Sequence, residues 1–228
     1  MQHLLLLHGA IGSKDQLQPL RVALQDKYNV HALNFSGHGG QVVPALPFSM
    51  ELFANDVLHY LQQNNIEQGN IFGYSMGGYV GMYLAKFYPQ KINKIITLAT
   101  KFHWDESIAA KEIKMLDAHI IEQKIPAFAA QLKERHKPQD WKILLERTTA
   151  FLIALGKNNT LRPEDYVTIN TPSLLLMGDR DKMITTEETF AVYKQLPHAQ
   201  LGMLPATPHP IEQANIDSLS FFIRQFIG

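Results

Sequence analysis

The sequence predicts an α/β protein: a mostly parallel, doubly wound sheet of about six strands carrying an inserted helical cap. Three observations predict it. Short apolar runs alternate with stretches of helical period. Those runs are apolar throughout rather than at every second residue, as strands covered by helices on both faces must be. One long stretch, residues 101–162, carries helical patterns with no strand among them.

The elements follow in order. Leu4–His8 reads as a buried strand, because Leu4 to Leu7 leave no polar face. Asp15–Lys27 reads as a helix with Pro19 in its early turns, and Val30–Phe35 as a second strand. Met50–Asn64 has Ser49 as a helix cap and places Phe53, Val57, Tyr60 and Leu61 on one face. Asn70–Tyr74 is a strand, Met76–Tyr88 a helix, and Ile92–Ala99 a strand rich in Ile and Leu. Within residues 101–162 the helical spans are Glu106–Ile121, Ala127–Arg135 and Gln139–Leu155. Alternation resumes with the strand Ser173–Met177, the helix Glu187–Leu196, the strand Gln200–Leu204 and a final helix Ile211–Ile227. The expected division is a sheet-bearing core from residues 1–100 and 163–228, with 101–162 as the cap.

The 228 residues suit one domain with an insertion, and 46% hydrophobic residues suffice for a sizeable core. Lys+Arg and Asp+Glu both number 21, so no field of one sign recruits nucleic acid or an acidic membrane. The absence of cysteine excludes disulfides, thiolate catalysis and cysteine-ligated zinc. The run "LLLL" near the N-terminus is too short for a signal core, and no apolar stretch is long enough to span a bilayer. The expected setting is cytoplasmic and the expected partner a small-molecule substrate. The histidines show no metal-ligand spacing, so neither a metal nor another cofactor is expected.

Chemistry concentrates where strands end, since ligands of open α/β sheets bind at the carboxyl ends of the strands. In "GYSMGG", Ser75 sits between Gly73 and Gly77 at a strand-to-helix junction. Small residues on either side let strand and helix approach each other, and the helix N-terminus offers free N–H groups to a developing oxyanion. A serine nucleophile needs a base, and the base an orienting carboxylate. Asp179 and Asp181 follow a later strand in "GDRDKM", and His209 follows another in "LPATPHPIEQ". The order Ser, Asp, His is the one such an elbow requires. Oxyanion donors are assigned to the backbone N–H groups of Ala10, after "LLLHG", and Met76. Candidate substrate-binding residues are Tyr74, Trp104, Phe128, Arg147 and Phe151; Arg147 would meet a carboxylate on the substrate. The inserted helices read equally as a lid over a pocket or as a solvated layer on the sheet.

Together, "LLLHGAIGS", "NFSGHGG", "GYSMGG", "GDRDKM" and "PHPIE" resemble, in order, five landmarks of the α/β-hydrolase superfamily, in particular its small cap-bearing, esterase-like serine hydrolases. The resemblance runs from Leu5 to Glu212. It implies the strand order 2-1-3-4-5-6 and favours Asp181 over Asp179 as the acid. Three departures stand out: the chain begins without the family's N-terminal hairpin, Asn34 replaces the acid usual after the second strand, and Pro208 precedes His209 where glycine is common. The expected reaction is hydrolysis of a small carboxylic ester or related acyl substrate through an acyl-enzyme. The alternatives are carbon–carbon bond hydrolysis or a menaquinone-pathway type of lyase using the same triad, and a non-catalytic ligand-binding protein on the same fold.

Overall fold

A computed structural model describes all 228 residues. In chain order the strands are β1 (His3–Leu7), β2 (Asn29–Ala32), β3 (Gly69–Tyr74), β4 (Ile92–Leu98), β5 (Ser173–Gly178) and β6 (Ala199–Leu204). The helices are α1 (Gln18–Leu24), α2 (Met50–Gln63), α3 (Met76–Phe87), α4 (Glu106–Glu112), α5 (Ala118–Lys124), α6 (Pro126–His136), α7 (Trp141–Lys157), α8 (Pro163–Tyr166), α9 (Thr186–Gln195) and α10 (Ile216–Ile227). The six strands form one sheet in the order β2-β1-β3-β4-β5-β6, and every pairing is parallel. Leu7 lies opposite Gly73, Tyr74 opposite Leu98, and Leu98 opposite Leu176, so the strand ends form one edge.

Alternate residues of each strand serve opposite faces. Leu5, Leu7, Ile71, Ile95 and Leu175 pack with Phe53 and Val57 of α2, Tyr79 and Met82 of α3, and Val192 of α9. Leu4, Leu6, Phe72, Ile96, Leu174 and Leu176 pack with Leu20 and Leu24 of α1 and Leu219 and Ile223 of α10. Each fully buried side chain of this kind contributes about 1.5–3 kcal/mol of transfer free energy. Between β4 and β5 no strand intervenes. There α7 sends Leu144, Phe151, Leu152 and Leu155 into the first core, while Ile121, Ala129, Leu132, Trp141 and Leu145 form a small cluster of their own.

Three expected spans are corrected. The helix read as Glu106–Ile121 breaks at Asp117, whose extended backbone (ψ 109°) and side chain cap α5 through the N–H groups of His119 and Ile120. The last helix starts at Ile216, not Ile211, because Asn215 caps it through Ser218 N–H. The second strand stops at Ala32 rather than Phe35. Asn34 beyond it is a loop anchor, accepting from Lys14 N–H at 2.7 Å and donating to the Gly39 carbonyl at 2.9 Å.

The start of α3 lies hard against the sheet. A Cβ at position 77 would fall 2.4 Å from the Leu7 carbonyl oxygen and 2.7 Å from that of His8; one at position 73 would fall 2.4 Å from the Gly77 oxygen. Gly78 is also a close approach, 2.0 Å from Thr100 Oγ1 by the same measure.

Behind the ends of β1 and β2, three fully buried histidines cluster: the rings of His8 and His38 are 5.3 Å apart, and those of His38 and His136 6.2 Å. His8 Nδ1 donates to the Gly9 carbonyl and Nε2 accepts from Phe35 N–H; His136 Nε2 donates to the Ile11 carbonyl and Nδ1 accepts from Gly39 N–H. Each of these two rings therefore holds one proton. Burial pushes His38 and His136 down to about 4, and burial together with the neighbouring His38 holds His8 well below its ordinary value.

Two predictions follow from this packing. Gly77→Ala sets a Cβ against backbone that cannot move aside, and is expected to cost roughly 1–3 kcal/mol in urea unfolding; an unchanged midpoint would contradict the close approach. Unfolded imidazoles titrate near ~6.5, so between there and about 4 the unfolded chain binds more protons than the folded one. Stability therefore falls as pH drops through that window, by roughly 1.4 kcal/mol per pH unit for each histidine. Urea midpoints across the window measure the slope, which His38→Phe should reduce.

Candidate active site

Ser75 occupies the junction of β3 and α3 with φ 51° and ψ −118°. A positive φ on a residue with a Cβ stores strain on the order of 1–3 kcal/mol and persists only where the surroundings fix it. Here Ser75 N–H donates to the Leu98 carbonyl at 2.8 Å, and the Ser75 carbonyl accepts from Gly78 N–H at 3.0 Å and Thr100 Oγ1 at 3.2 Å. The side chain is half-buried at the open edge of the sheet.

The structure brings Asp181 and His209 together. His209 Nδ1 donates to Asp181 Oδ2 at 2.8 Å; the Asp181 carboxylate is fully buried and the His209 ring 13% exposed. Asp181 Oδ1 accepts from the N–H groups of Met183 at 2.8 Å and Ile184 at 3.0 Å. Burial pushes this carboxyl up, but the hydrogen bond and charge of His209 and the two amides outweigh it, so it is held below the ordinary value. Asp179 has a different place. It is exposed, and its Oδ1 accepts from Thr207 N–H at 3.0 Å, tying the loop that carries His209 to the end of β5. Gly178 permits that contact, since a Cβ there would meet the Thr207 carbonyl oxygen at 2.0 Å.

The His209 ring lies 5.6 Å from the ring of Tyr74, the residue before Ser75. No hydrogen bond joins His209 to Ser75; only the Asp181 side of the pair is closed.

The loop after β1 and the first turn of α3 meet at Ser75. A Cβ on Gly9 would sit 3.2 Å from Ser75 Cβ, which places the start of the β1 loop directly against the serine. Ala10 is the second residue of a turn closed by Gly12 N–H on the Gly9 carbonyl at 3.1 Å, and its own N–H donates to no protein acceptor. Met76 is the first residue of α3, where backbone N–H groups lack intrahelical partners.

Beside Ser75 lies a cavity of about 40 Å³ lined by Met50, Met76, Tyr79, Lys101, Trp104, Phe151, Leu152 and Leu155. Trp104 and Phe151, two of the expected substrate-binding residues, line this cavity with Ser75. Tyr74 is absent from the lining and is buried in the core on the opposite face of the sheet. Phe128 packs on the small cluster of α5, α6 and α7, and Arg147 is half-buried on α7 outside the lining. The cation at this cavity is Lys101, three residues past the end of β4. Its Nζ donates to the Met183 carbonyl at 2.6 Å and pairs with buried Glu112 at 3.4 Å. The rule that located Asp181 and His209, a polar residue just past an apolar strand, also marks Lys101. A larger cavity, about 550 Å³, opens at the other end of the sheet among Leu58, Leu61, Ile66 and Tyr88. It holds no nucleophile and is remote from Ser75. No group of His, Asp and Glu is disposed to hold a metal ion, and no helix is long and apolar enough to cross a membrane.

Comparison with known proteins accords with this geometry. The uncharacterized hydrolase YugF of Bacillus subtilis (strain 168) is 22% identical over 247 residues, spanning 99% of this chain and 90% of its own length. A hydrolase from Pseudomonas aeruginosa PA01 superposes with a TM-score of 0.81 at 18% identity, over 100% of this chain and 90% of that one. The enol-lactonase from Burkholderia xenovorans LB400 superposes with a TM-score of 0.79 at 18% identity, over 99% and 91%. Such likenesses establish the fold, and residues 2–119 match the family described as alpha/beta hydrolase fold. The chain belongs to the alpha/beta hydrolase fold family of enzymes.

Proposed function

We propose that this protein is a serine hydrolase acting on a small carboxylic ester or related acyl substrate. The observation that carries the reading is the buried Asp181–His209 hydrogen bond at the same sheet edge as a serine held at φ 51°. Ser75 Oγ attacks the acyl carbon while His209 takes its proton, and Asp181 holds the imidazole tautomer and stabilises the imidazolium. The carbonyl oxygen gathers negative charge between the Ala10 and Met76 N–H groups. His209 returns the proton to the leaving alcohol. Water, deprotonated by His209, then attacks the acyl-enzyme, and Ser75 regains its proton as the acid departs. Residues 101–162 act as the cap: Trp104 together with Phe151, Leu152 and Leu155 of α7 closes an apolar acyl site. Its small volume, about 40 Å³, favours short acyl chains.

A second reading concerns the same triad with a substrate bearing a carboxylate, and Lys101 favours it. An ammonium has three donors, and two are engaged, with the Met183 carbonyl and Glu112. The third is left for an anion in a cavity otherwise lined by apolar and aromatic side chains. A relative on this fold is named an enol-lactonase, and a lactone is within reach of the same acyl chemistry.

Hydrolysis of p-nitrophenyl esters from acetate to decanoate should peak at the short end, and Ser75→Ala should lower kcat by at least about four orders of magnitude. A Ser75→Ala enzyme with wild-type turnover would refute the mechanism. For the second reading, the ratio of kcat/KM for a monosuccinyl ester over the neutral butyryl ester should fall about tenfold in Lys101→Met; an unchanged ratio excludes an anion at Lys101.

A further inference from the structure

The end of α6 grips three of the loops at the carboxyl edge. Arg135 Nη1 donates to the Ile11 carbonyl at 3.2 Å, and His136 Nε2 donates to the same oxygen at 3.0 Å. Arg135 Nη2 pairs at 3.6 Å with Glu212, three residues past His209, and Glu212 accepts from Gln16 Nε2 at 2.5 Å. The opposite nitrogen of His136 accepts from Gly39 N–H at 3.0 Å in the loop after β2. Gly40 leans on the next residue of the insertion: a Cβ there would fall 2.4 Å from the Lys137 carbonyl oxygen. His136 is fully buried and the Arg135 side chain only 16% exposed.

The oxygen they share belongs to a strained residue. Ile11 has φ 52° at the third position of the Gly9–Gly12 turn, a conformation for which turns ordinarily take glycine. A β-branched residue is especially disfavoured there. Left alone, the turn would relax toward negative φ, and the Ala10 N–H one residue earlier would swing with it. Two donors on one carbonyl, one of them cationic, oppose that relaxation. Nothing else is bonded to the Ile11 carbonyl: both of its partners come from α6, more than 120 residues away in sequence.

We propose that Arg135 and His136 are positioning residues for the oxyanion donor: they fix the Ile11 carbonyl, hold the Gly9–Gly12 turn and so aim the Ala10 N–H at the developing charge. The proposal rests on the serine-hydrolase reading above. In it the site is complete only when α6 is seated, so the insertion governs catalytic rate as well as pocket shape. Removing the clamp acts on the transition state, where the oxyanion exists, and little on ground-state binding.

The test compares Arg135→Gln, His136→Gln and His136→Phe with wild type, each checked for fold by circular dichroism and thermal melting. Gln at 136 retains a donor and an acceptor; Phe retains only the volume. The expected result is a kcat lowered roughly 10- to 100-fold in Arg135→Gln and His136→Phe with KM within about threefold, and substantial recovery in His136→Gln. The rate at which a fluorophosphonate labels Ser75 should fall in parallel, because its phosphoryl oxygen enters the same hole; this readout needs no knowledge of the substrate. Should His136→Phe not fold, Arg135→Gln and the labelling rate carry the test alone. Labelling of a folded Arg135→Gln at the wild-type rate overturns the proposal. A wild type that is not labelled at all overturns the serine-hydrolase reading instead, and the clamp with it.

Discussion

The carboxyl edge of the sheet is organised around one steric constraint: the first turn of α3 rests on the ends of β1 and β3 with no space for a side chain between them. Gly73 and Gly77 permit the contact, and the chain passing between them must turn sharply enough to leave Ser75 at positive φ. The serine is therefore held up at the edge by backbone packing, and its own backbone hydrogen bonds secure it there. The same contact brings the first amide of α3 beside the loop after β1, so the proposed nucleophile and both proposed oxyanion donors derive from one close approach. Bonds from β4, through the Leu98 carbonyl and Thr100, keep the strained residue from relaxing.

Around that contact the polar groups divide their work. Asp181 is buried with all its bonds inward, one oxygen on His209 and the other on two amides. Asp179, two residues earlier, faces solvent and fastens the histidine loop at Thr207. One carboxylate orients the imidazole and the other orients the loop that delivers it. Burial keeps the histidines behind β1 neutral, and the rings of His8 and His136 each serve as a fixed donor–acceptor spacer between loops.

Ser75, Asp181 and His209 were legible in the sequence because each follows an apolar run, and in a parallel sheet every such run ends on the same side. The strand order and the close approach of the elbow glycines were legible for the same reason and through the family resemblance. Other features were not. Asp179 and Asp181 stand two positions apart in a loop without regular period, so spacing alone could not say which meets His209, and only the family resemblance favoured Asp181. The break at Asp117 was hidden because Asp is tolerated inside a helix, and no Gly or Pro marks the stop. Facing within the insertion was least legible: periodicity puts Arg147 on an apolar helix, but whether that face meets Ser75 depends on how α7 docks, and the cation at the cavity proves to be Lys101 on the core. The contacts of Arg135 and His136 with Ile11 join residues 124 and 125 apart, beyond any local pattern.

That separation bears on how the molecule is made. Every neighbouring pair of strands is parallel, so each pairing closes a long stretch of chain before it returns any contact, and such topologies fold slowly. The site is later still. The strain at Ser75 is opposed by β4, that at Ile11 by α6, and His209 is fastened by β5, so the elbow and its loops lack their supports in a nascent chain that ends before them. The supports of this edge are therefore complete only once those distant segments have docked.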